Sequence, residues 1–296
     1  MSRKILFIVN PISGTIQKIR VVEKIHRFFN HSHVSYQIRH TEYAGHATKI
    51  AAEAVNNHFD TVVAIGGDGT VNEIGAALSH TSTALGIIPL GSGNGLARHL
   101  QIPFSLENAL KTILEGKKIK IDTCYLGENA FFCTSGTGFD ALVSYRFSKD
   151  AKGRGLINYA RIAMKTYLDY QPQTYQLNID GSIISTQAMM ITVANAAQFG
   201  NNAYISPEAD ITDGFLDVCI VQAFPKWQGA SIFAASFMKT IHQNKFVKIY
   251  KAKKVSILPI NAQAHAHIDG DYVQNSKVPF EYSINNKSLH VLVDKI

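Results

Sequence analysis

The first third of the chain alternates short apolar runs with stretches in which apolar residues recur at helical spacing. Lys4–Val9 predicts a buried strand, and Thr15–Phe29, with Ile19, Val22, Ile25 and Phe29 on one face, predicts a helix. Val34–Arg39 predicts a second strand, Thr41 an N-cap, and Ala44–Asn56 a second helix. Residues 60–65 predict a third strand, which ends in Gly66-Gly67-Asp68-Gly69-Thr70 before a helix from near Val71 to about Leu78. Ala84–Ile88 predicts a fourth strand, followed by Pro89-Leu90-Gly91-Ser92-Gly93-Asn94-Gly95 and another helical start. Such βα alternation predicts a parallel sheet with helices on both faces.

After about Ile119 the pattern changes to short strand candidates: Asn129–Thr134, Tyr175–Ile179, Ala188–Ala194, Phe215–Val221, Val255–Leu258, Ala264–Ile268 and Leu289–Val293. Gly and Asp turns separate many of them, and helical segments interrupt at Leu156–Tyr170 and Lys226–His242. A largely antiparallel β domain is expected, with the division near residues 120–130. The working boundaries are 1–125 and 126–296, with a C-terminal tail that can return to the first domain. The one internal repeat found is Ile-Asp-Gly, at 179–181 and 268–270.

Composition narrows the class. With 296 residues, 46% apolar, 17% charged and only 8 Pro, the chain is not disordered, collagen-like or coiled-coil. A chain of this length buries roughly 70–75% of its extended surface and needs no disulfide or metal staples. Cys124, Cys133 and Cys219 lie in apolar stretches with no C-x-x-C spacing, so buried thiols and a reducing cytoplasm are expected. The start, MSRKILFIVNP, lacks the long apolar core and cleavage site of a signal peptide, and no run of 18 apolar residues predicts a spanning helix. A soluble protein is expected. The net charge of +7, from 29 Lys and Arg against 22 Asp and Glu, permits a phosphate-bearing partner without choosing one.

The glycine-rich segments make that choice sharper. Glycines between a strand end and a helix start let backbone amides approach a phosphate, and the helix dipole favours the anion. Asp68 is informative there, since a carboxylate repels phosphate unless it faces Mg²⁺, a donor or a hydroxyl awaiting deprotonation. An ordinary βα turn with Asp68 as a local cap is the competing reading. Gly91–Gly95 supplies a second such loop and Asn10-Pro11-x-Ser13-Gly14 a third polar loop, on the same sheet edge. Neither glycine loop is a G-x-G-x-x-G or Walker string. Three loops on one edge favour a nucleotide site.

Gly66-Gly-Asp-Gly-Thr70-Val-Asn72-Glu73, with Asn10-Pro11 before it and Pro89-x-Gly91-Ser92-Gly93-Asn94 after, closely resembles the diacylglycerol kinase catalytic family, which includes bacterial soluble lipid kinases and sphingosine kinases. Thr134-Ser-Gly136-Thr-Gly138-Phe-Asp140-Ala141, Ala194-Asn195, Ser206-Pro207, Asp213-Gly214 and Asp269-Gly270-Asp271 follow in family order across the rest of the chain. The resemblance implies an N-terminal α/β nucleotide-binding domain with a parallel sheet, NAD kinase- and diacylglycerol kinase-like, and an antiparallel β-sandwich-like C-terminal domain, with ATP in the cleft between. It implies ATP and Mg²⁺ as cofactors and transfer of the γ-phosphate to a diacylglycerol-like or sphingoid-like lipid. Asn10, Thr41, Gly66, Gly67, Asp68, Gly69, Thr70, Asn72, Glu73, Gly91, Ser92 and Asn94 would then serve the nucleotide. Asp271 would be the general base, with Asp68 and Asp269 as further catalytic carboxylates, and a structural Mg²⁺ would sit near Asp213, Asp210 and Phe215.

Two departures qualify the resemblance. Asp271 stands where family members usually have Glu, one methylene longer. Gly91-Ser-Gly-Asn94 looks more like sphingosine kinases than like the Gly-Thr-x-Asn of many bacterial diacylglycerol kinases. An NAD kinase is one rival, although the Asn-x-Gly-x-Leu-Gly-Phe-Leu string of that family is absent. A nucleotide- or lipid-binding regulator without turnover is the other. Asp269-Gly270 is also a standard hairpin signal, which this chain repeats at Asp180-Gly181. His265, His267 and Asp269 alternate as a strand-borne metal set would, but no further ligand is evident. Arg98 could pair with phosphate, whereas His99 fits a solvated helix face.

The basic residues have their own placement. Pro225–Ile241 reads as an apolar helix with a basic edge, five lysines follow between Lys245 and Lys254, and Lys149, Lys152, Arg154, Arg161 and Lys165 surround another helix. Most aromatics of the 225–241 helix are expected in the core, with the lysines making transient contact with an anionic membrane. The absence of an aromatic-lined basic groove argues against nucleic acid. A homodimer is compatible with the sequence.

Overall fold

The computed structural model describes residues 3–11, 17–30, 33–150, 155–260, 264–274 and 277–294. The chain forms two compact units, Met1–Thr123 with Lys287–Ile296, and Cys124–Asn286. Ser13, Gly14, Lys152 and Arg154 lie outside the described residues, as does the side chain of Ile19.

The first unit contains β1 (Lys4–Val9), α1 (Gln17–Phe29), β2 (Ser35–His40), α2 (His46–Asn56), β3 (Thr61–Gly66), α3 (Asp68–Leu78), β4 (Ala84–Pro89), α4 (Gly95–His99) and α5 (Leu106–Glu115). Its strands run β4-β3-β1-β2, every pair parallel, with Ile5 opposite Thr61 and Ile65 opposite Ile88. Strands β3 and β4 are buried throughout, as continuous apolar runs in a parallel sheet should be. Ile5, Phe7 and Val9 pack with Val21, Ile25 and Phe29 of α1 and Ala109, Leu110 and Ile113 of α5. Helices α2 and α3 pack against each other and against the sheet through Ile50, Ala54, Ile74 and Leu78. The chain leaves this unit along β5 (Lys117–Leu126).

The second unit begins with β6 (Asn129–Phe131), β7 (Thr134–Gly138), α6 (Phe139–Lys149), α7 (Leu156–Asp169), β8 (Gln173–Ile179), β9 (Ser182–Ala194), β10 (Gln198–Gly200), β11 (Ala203–Tyr204) and β12 (Leu216–Gln222). It continues with α8 (Gly229–Phe237), β13 (Val247–Ala252), β14 (Lys254–Ile260), β15 (Ala266–Ile268), β16 (Asp271–Val273) and the start of β17 (Phe280–Val293). The long β9 pairs antiparallel with β8 through its first half and with β7 and β12 through its second, so one strand serves both parts of a β-rich sandwich. Alternation along β12 sends Leu216, Val218 and Ile220 into one core and Cys219 and Val221 into another, beside Ile232 of α8. All three cysteines are buried without a disulfide, and burial pushes the Cys219 thiol pKa up.

Three predicted elements differ in instructive ways. Helix α3 starts at Asp68, not near Val71, because Gly67 is already extended and an acidic first turn suits the helix dipole. The Lys226–His242 helix is divided into a 3₁₀ turn at Lys226–Gln228, α8, and a second turn at Ile241–Gln243; Lys239, at φ 59°, interrupts it. Strand β17 runs 14 residues, since polar Asn285-Asn286-Lys287 in its middle hides the alternation.

Strand β17 re-enters the first unit beside β4, where Val291 pairs parallel with Leu85. There the Lys287 amide donates to the carboxylate of fully buried Asp122 at 2.6 Å. Asp122→Ala would leave that amide without its acceptor, and a loss of about 1–3 kcal/mol is expected in urea unfolding of the first unit.

Candidate functional site

In the first unit the two glycine segments emerge side by side from β3 and β4. Only Gly67 separates β3 from α3, and Leu90 N donates to Gly66 O at 2.8 Å. The segments touch backbone to backbone: a Cβ on Gly91 would lie 2.5 Å from the Cα of Gly67. Asn94, buried and left-handed at φ 53°, closes its own turn by accepting from Gly91 N at 3.0 Å and donating to Gly91 O at 2.6 Å. The first-turn amides of α3 point out of its N-terminus, the arrangement that receives an anion.

Asp68 joins the two segments. Its carboxylate accepts Asn94 N and Gly95 N, each at 2.7 Å, so it holds the start of α4 from across the turn. A Cβ on Gly93 would meet that carboxylate at 2.6 Å, which requires glycine there. Burial holds the Asp68 pKa above the ordinary carboxylate value, while these backbone donors pull it back. Asn10, at the end of β1, donates to Thr70 Oγ1 at 3.0 Å, and Thr41 N donates to Val9 O at 2.9 Å. Asp68, Asn94 and Gly91 thus form one hydrogen-bonded set and Asn10 with Thr70 another, while Gly69 and Ser92 are exposed.

Glu73 has a different task. Its carboxylate accepts Gly45 N at 3.0 Å and Ala47 N at 3.1 Å, capping α2. Arg98 also turns to the protein, donating from Nε to Gly93 O and lying over the Phe104 ring. These roles are invisible in the motif, because the partners lie elsewhere in the chain.

In the second unit, Asp269 and Gly270 have φ 47° and 89° and form the two-residue turn between β15 and β16. The Asp269 carboxylate accepts Phe132 N, Cys133 N and Thr134 N at 2.8–3.1 Å. Asn195 holds the same segment from its carbonyls, donating to Phe132 O and Cys133 O. Three motifs that are far apart in sequence therefore meet at Phe132–Thr134. Asp271 follows the fixed turn and is exposed. The other Ile-Asp-Gly repeats the device: Asp180 accepts Lys253 N and Lys254 N.

A buried polar cluster lies beside this assembly and was not evident from the sequence. Asp140 Oδ2 accepts Thr192 Oγ1 at 2.9 Å and contacts His267 Nε2 at 3.1 Å. His265 instead stacks on Tyr145, and Asp269 turns to the 132–134 amides, so these three residues do not gather around a metal. Among the described residues no group of three His, Cys, Asp or Glu side chains is placed to hold an ion.

Asp210, Asp213 and Phe215, the residues expected near a structural Mg²⁺, lie in and just after the turn before β12. Asp213 Oδ1 accepts Phe215 N at 2.9 Å, and Oδ2 meets the Lys251 ammonium at 2.5 Å. Asp210 Oδ1 accepts both Thr212 N and Thr212 Oγ1. Lys251 also reaches the nearly buried Asp217 at 3.4 Å. As folded here, the Lys251 ammonium supplies the positive charge beside Asp213 and Asp217. In the first unit, the close approach of Gly67 and Gly91 leaves the N-terminus of α3 beside an exposed Gly69 and Ser92.

Residues 4–126 match the diacylglycerol kinase catalytic domain, and residues 134–293 match the YegS C-terminal NAD kinase beta sandwich-like domain. The chain belongs to the diacylglycerol kinase catalytic and YegS-like lipid kinase family. It is 26% identical to a diacylglycerol kinase of Bacillus subtilis, over 97% of this chain and 95% of that protein. It shares its fold with a putative diacylglycerol kinase from Bacillus anthracis, at TM-score 0.80 and 23% identity, covering 99% of this chain and 95% of the other. Yeast NADH kinase is more distant, at TM-score 0.58 and 13% identity, with 100% and 84% covered.

Two stability measurements check the assignments. Glu73→Ala should cost about 1–2 kcal/mol, read by chemical unfolding, through loss of the α2 cap. In nucleotide-free protein, adding Mg²⁺ or EDTA should leave the melting temperature unchanged, whereas Lys251→Met should lower it by leaving Asp217 buried without a cation.

Proposed function

We propose that the protein is an ATP- and Mg²⁺-dependent lipid kinase that phosphorylates a hydroxyl of a diacylglycerol-like or sphingoid-like lipid, on the cytoplasmic side of a membrane. The observation that carries this reading is the interlocked pair of turns in which Asp68 joins the Gly66–Thr70 and Gly91–Gly95 segments. Bound Mg²⁺-ATP would supply the phosphoryl group and neutralise its charge. The α3 amides, with Gly66, Gly67, Gly69 and Thr70, hold and orient the phosphates, and Asn10, Thr41, Asn72, Gly91, Ser92 and Asn94 complete the nucleotide's surroundings. Asp68, held by the amides of Asn94 and Gly95, would place its negative charge where the cation of Mg²⁺-ATP could offset it.

In this reading the exposed Asp271 carboxylate accepts the proton of the lipid hydroxyl. Such a weak base acts late, as negative charge develops on the attacking oxygen. Asp269 acts through the backbone by fixing the turn that presents Asp271. Glu73 likewise acts at one remove, by setting the α2 terminus against α3.

Turnover of ATP should be measured across diacylglycerol, sphingoid bases and NAD in detergent micelles with Mg²⁺. Turnover on a lipid alcohol is expected; turnover on NAD with none on any lipid would overturn the reading. Asp271→Asn should lower kcat by about 10²–10⁴-fold, while Asp271→Glu should retain activity. Near-normal turnover by Asp271→Asn would remove it from the reaction.

The pH profile carries a separate expectation. Burial raises the Asp68 pKa, so its carboxylate takes up a proton at a higher pH than an ordinary Asp. If its ionised form serves the reaction, the acidic limb of kcat/KM should lie above the ordinary carboxylate range. A profile that stays flat down to that range would exclude an essential ionised Asp68.

A further inference from the structure

The turn that begins α4 holds the one Asn-Gly pair in the sequence, Asn94-Gly95. Asparagine before glycine is especially open to intramolecular loss of ammonia, because glycine has no side chain to obstruct attack by its own nitrogen. In that reaction the Gly95 amide nitrogen bonds to Cγ of Asn94. The side-chain nitrogen leaves as ammonia, taking up the amide proton, and a five-membered succinimide remains. Water then opens the ring at one of its two carbonyls, which leaves aspartate or isoaspartate at position 94. Water is the only co-reactant, and nothing is oxidised or reduced.

The fold opposes each part of this reaction. The attacking nitrogen is engaged, since Gly95 N donates to Asp68 Oδ1 at 2.7 Å. That nitrogen becomes nucleophilic only by losing its proton, and a carboxylate beside it disfavours the resulting negative charge. Asn94 N donates to Asp68 Oδ2 at 2.7 Å, so one side chain grips the backbone on both sides of the bond. The group under attack is fixed as well. The Asn94 carboxamide accepts from Gly91 N at 3.0 Å and donates to Gly91 O at 2.6 Å, and turning toward Gly95 would break both bonds. Water has little access, because Asn94 is only 5% exposed and Gly95 is buried beside it.

We propose that Asn94-Gly95 is a latent deamidation site and that the Asp68 carboxylate keeps it closed. Asp68 thereby has a chemical task that does not depend on the kinase reading: it preserves the turn it helps to build. Loss of that protection is irreversible. Aspartate at position 94 lacks the amino group that donates to Gly91 O, and it adds a negative charge beside Asp68. Isoaspartate reroutes the main chain through the side chain, one methylene longer, where α4 begins. Either product loosens the Gly91–Gly95 segment.

The full-length protein, without nucleotide, should be held in warm, mildly alkaline buffer, both native and in urea, then digested with trypsin and followed by mass spectrometry. Tryptic peptide 50–98 carries Asn94 together with Asn56, Asn57 and Asn72, and fragmentation assigns a gain of one mass unit to one of the four. In urea Asn94 should convert first. In the native protein it should persist through the same interval. Asp68→Ala should hasten native conversion about tenfold or more, the scale of one lost charge-assisted hydrogen bond, and should speed deuterium exchange at the Gly95 amide. Adding Gly95→Ala to Asp68→Ala should slow conversion again, because a Cβ obstructs the attacking nitrogen. Asp68→Ser takes the place of Asp68→Ala if the latter loses the wild-type circular dichroism. Native wild-type conversion at the urea rate would overturn the proposal, as would a folded Asp68 variant whose Asn94 lasts as long as in the wild type. None of these readouts involves turnover, so they succeed or fail separately from the kinase reading.

Discussion

Backbone amides that leave a helix or strand must find acceptors, and this chain satisfies the critical ones with carboxylates from distant segments. Asp68 takes the amides that begin α4, Glu73 those that begin α2, and Asp269 three consecutive amides at Phe132–Thr134. Asp180 does the same for Lys253 and Lys254, and Asp122 for Lys287. A charged acceptor strengthens such bonds relative to a neutral one, and each bond ties together residues far apart in sequence. The turns around the candidate site owe their shape to these contacts.

This arrangement separates the acids of the motifs into two kinds. Glu73 and Asp269 have their oxygens occupied by amides and fix the backbone around them. Asp271 follows such a fixed turn and is exposed. Asp68 combines both characters: its amide donors stabilise the anion, yet burial still raises its pKa. That balance makes its charge sensitive to a nearby cation in a way that an exposed Asp would not be. Lys251 shows the complementary solution, an ammonium placed between Asp213 and Asp217.

Much of the first unit was legible because its signals are local. Apolar runs mark β1, β3 and β4, helical spacing marks α1 and α2, and both glycine segments fall where strands give way to helices. The β-rich character of the second unit was legible too, but β17 was seen only at its apolar end and α6 was missed between strand signals. The candidate site was legible as a set of residue types and order, not as contacts. Nothing near Glu73 in sequence reveals that it caps Gly45 and Ala47, and nothing near Asp140 reveals Thr192 or His267. The alternation of His265, His267 and Asp269 does not carry over into shared contacts for the same reason: β15 ends at Ile268, so the carboxylate no longer follows the strand's direction.

Inward-turned carboxylates also explain how a modest net charge yields a strongly basic surface region. A +7 excess spread evenly over the chain would give a weak field, because Asp and Glu would neutralise neighbouring Lys and Arg. Here Asp122, Asp140 and Asp217 are buried, and Asp180 and Asp269 are turned to backbone amides. The span from Val218 to Ile268 contains seven lysines and no acid of its own, and Lys251 among them is paired with Asp213 and Asp217 from just before it.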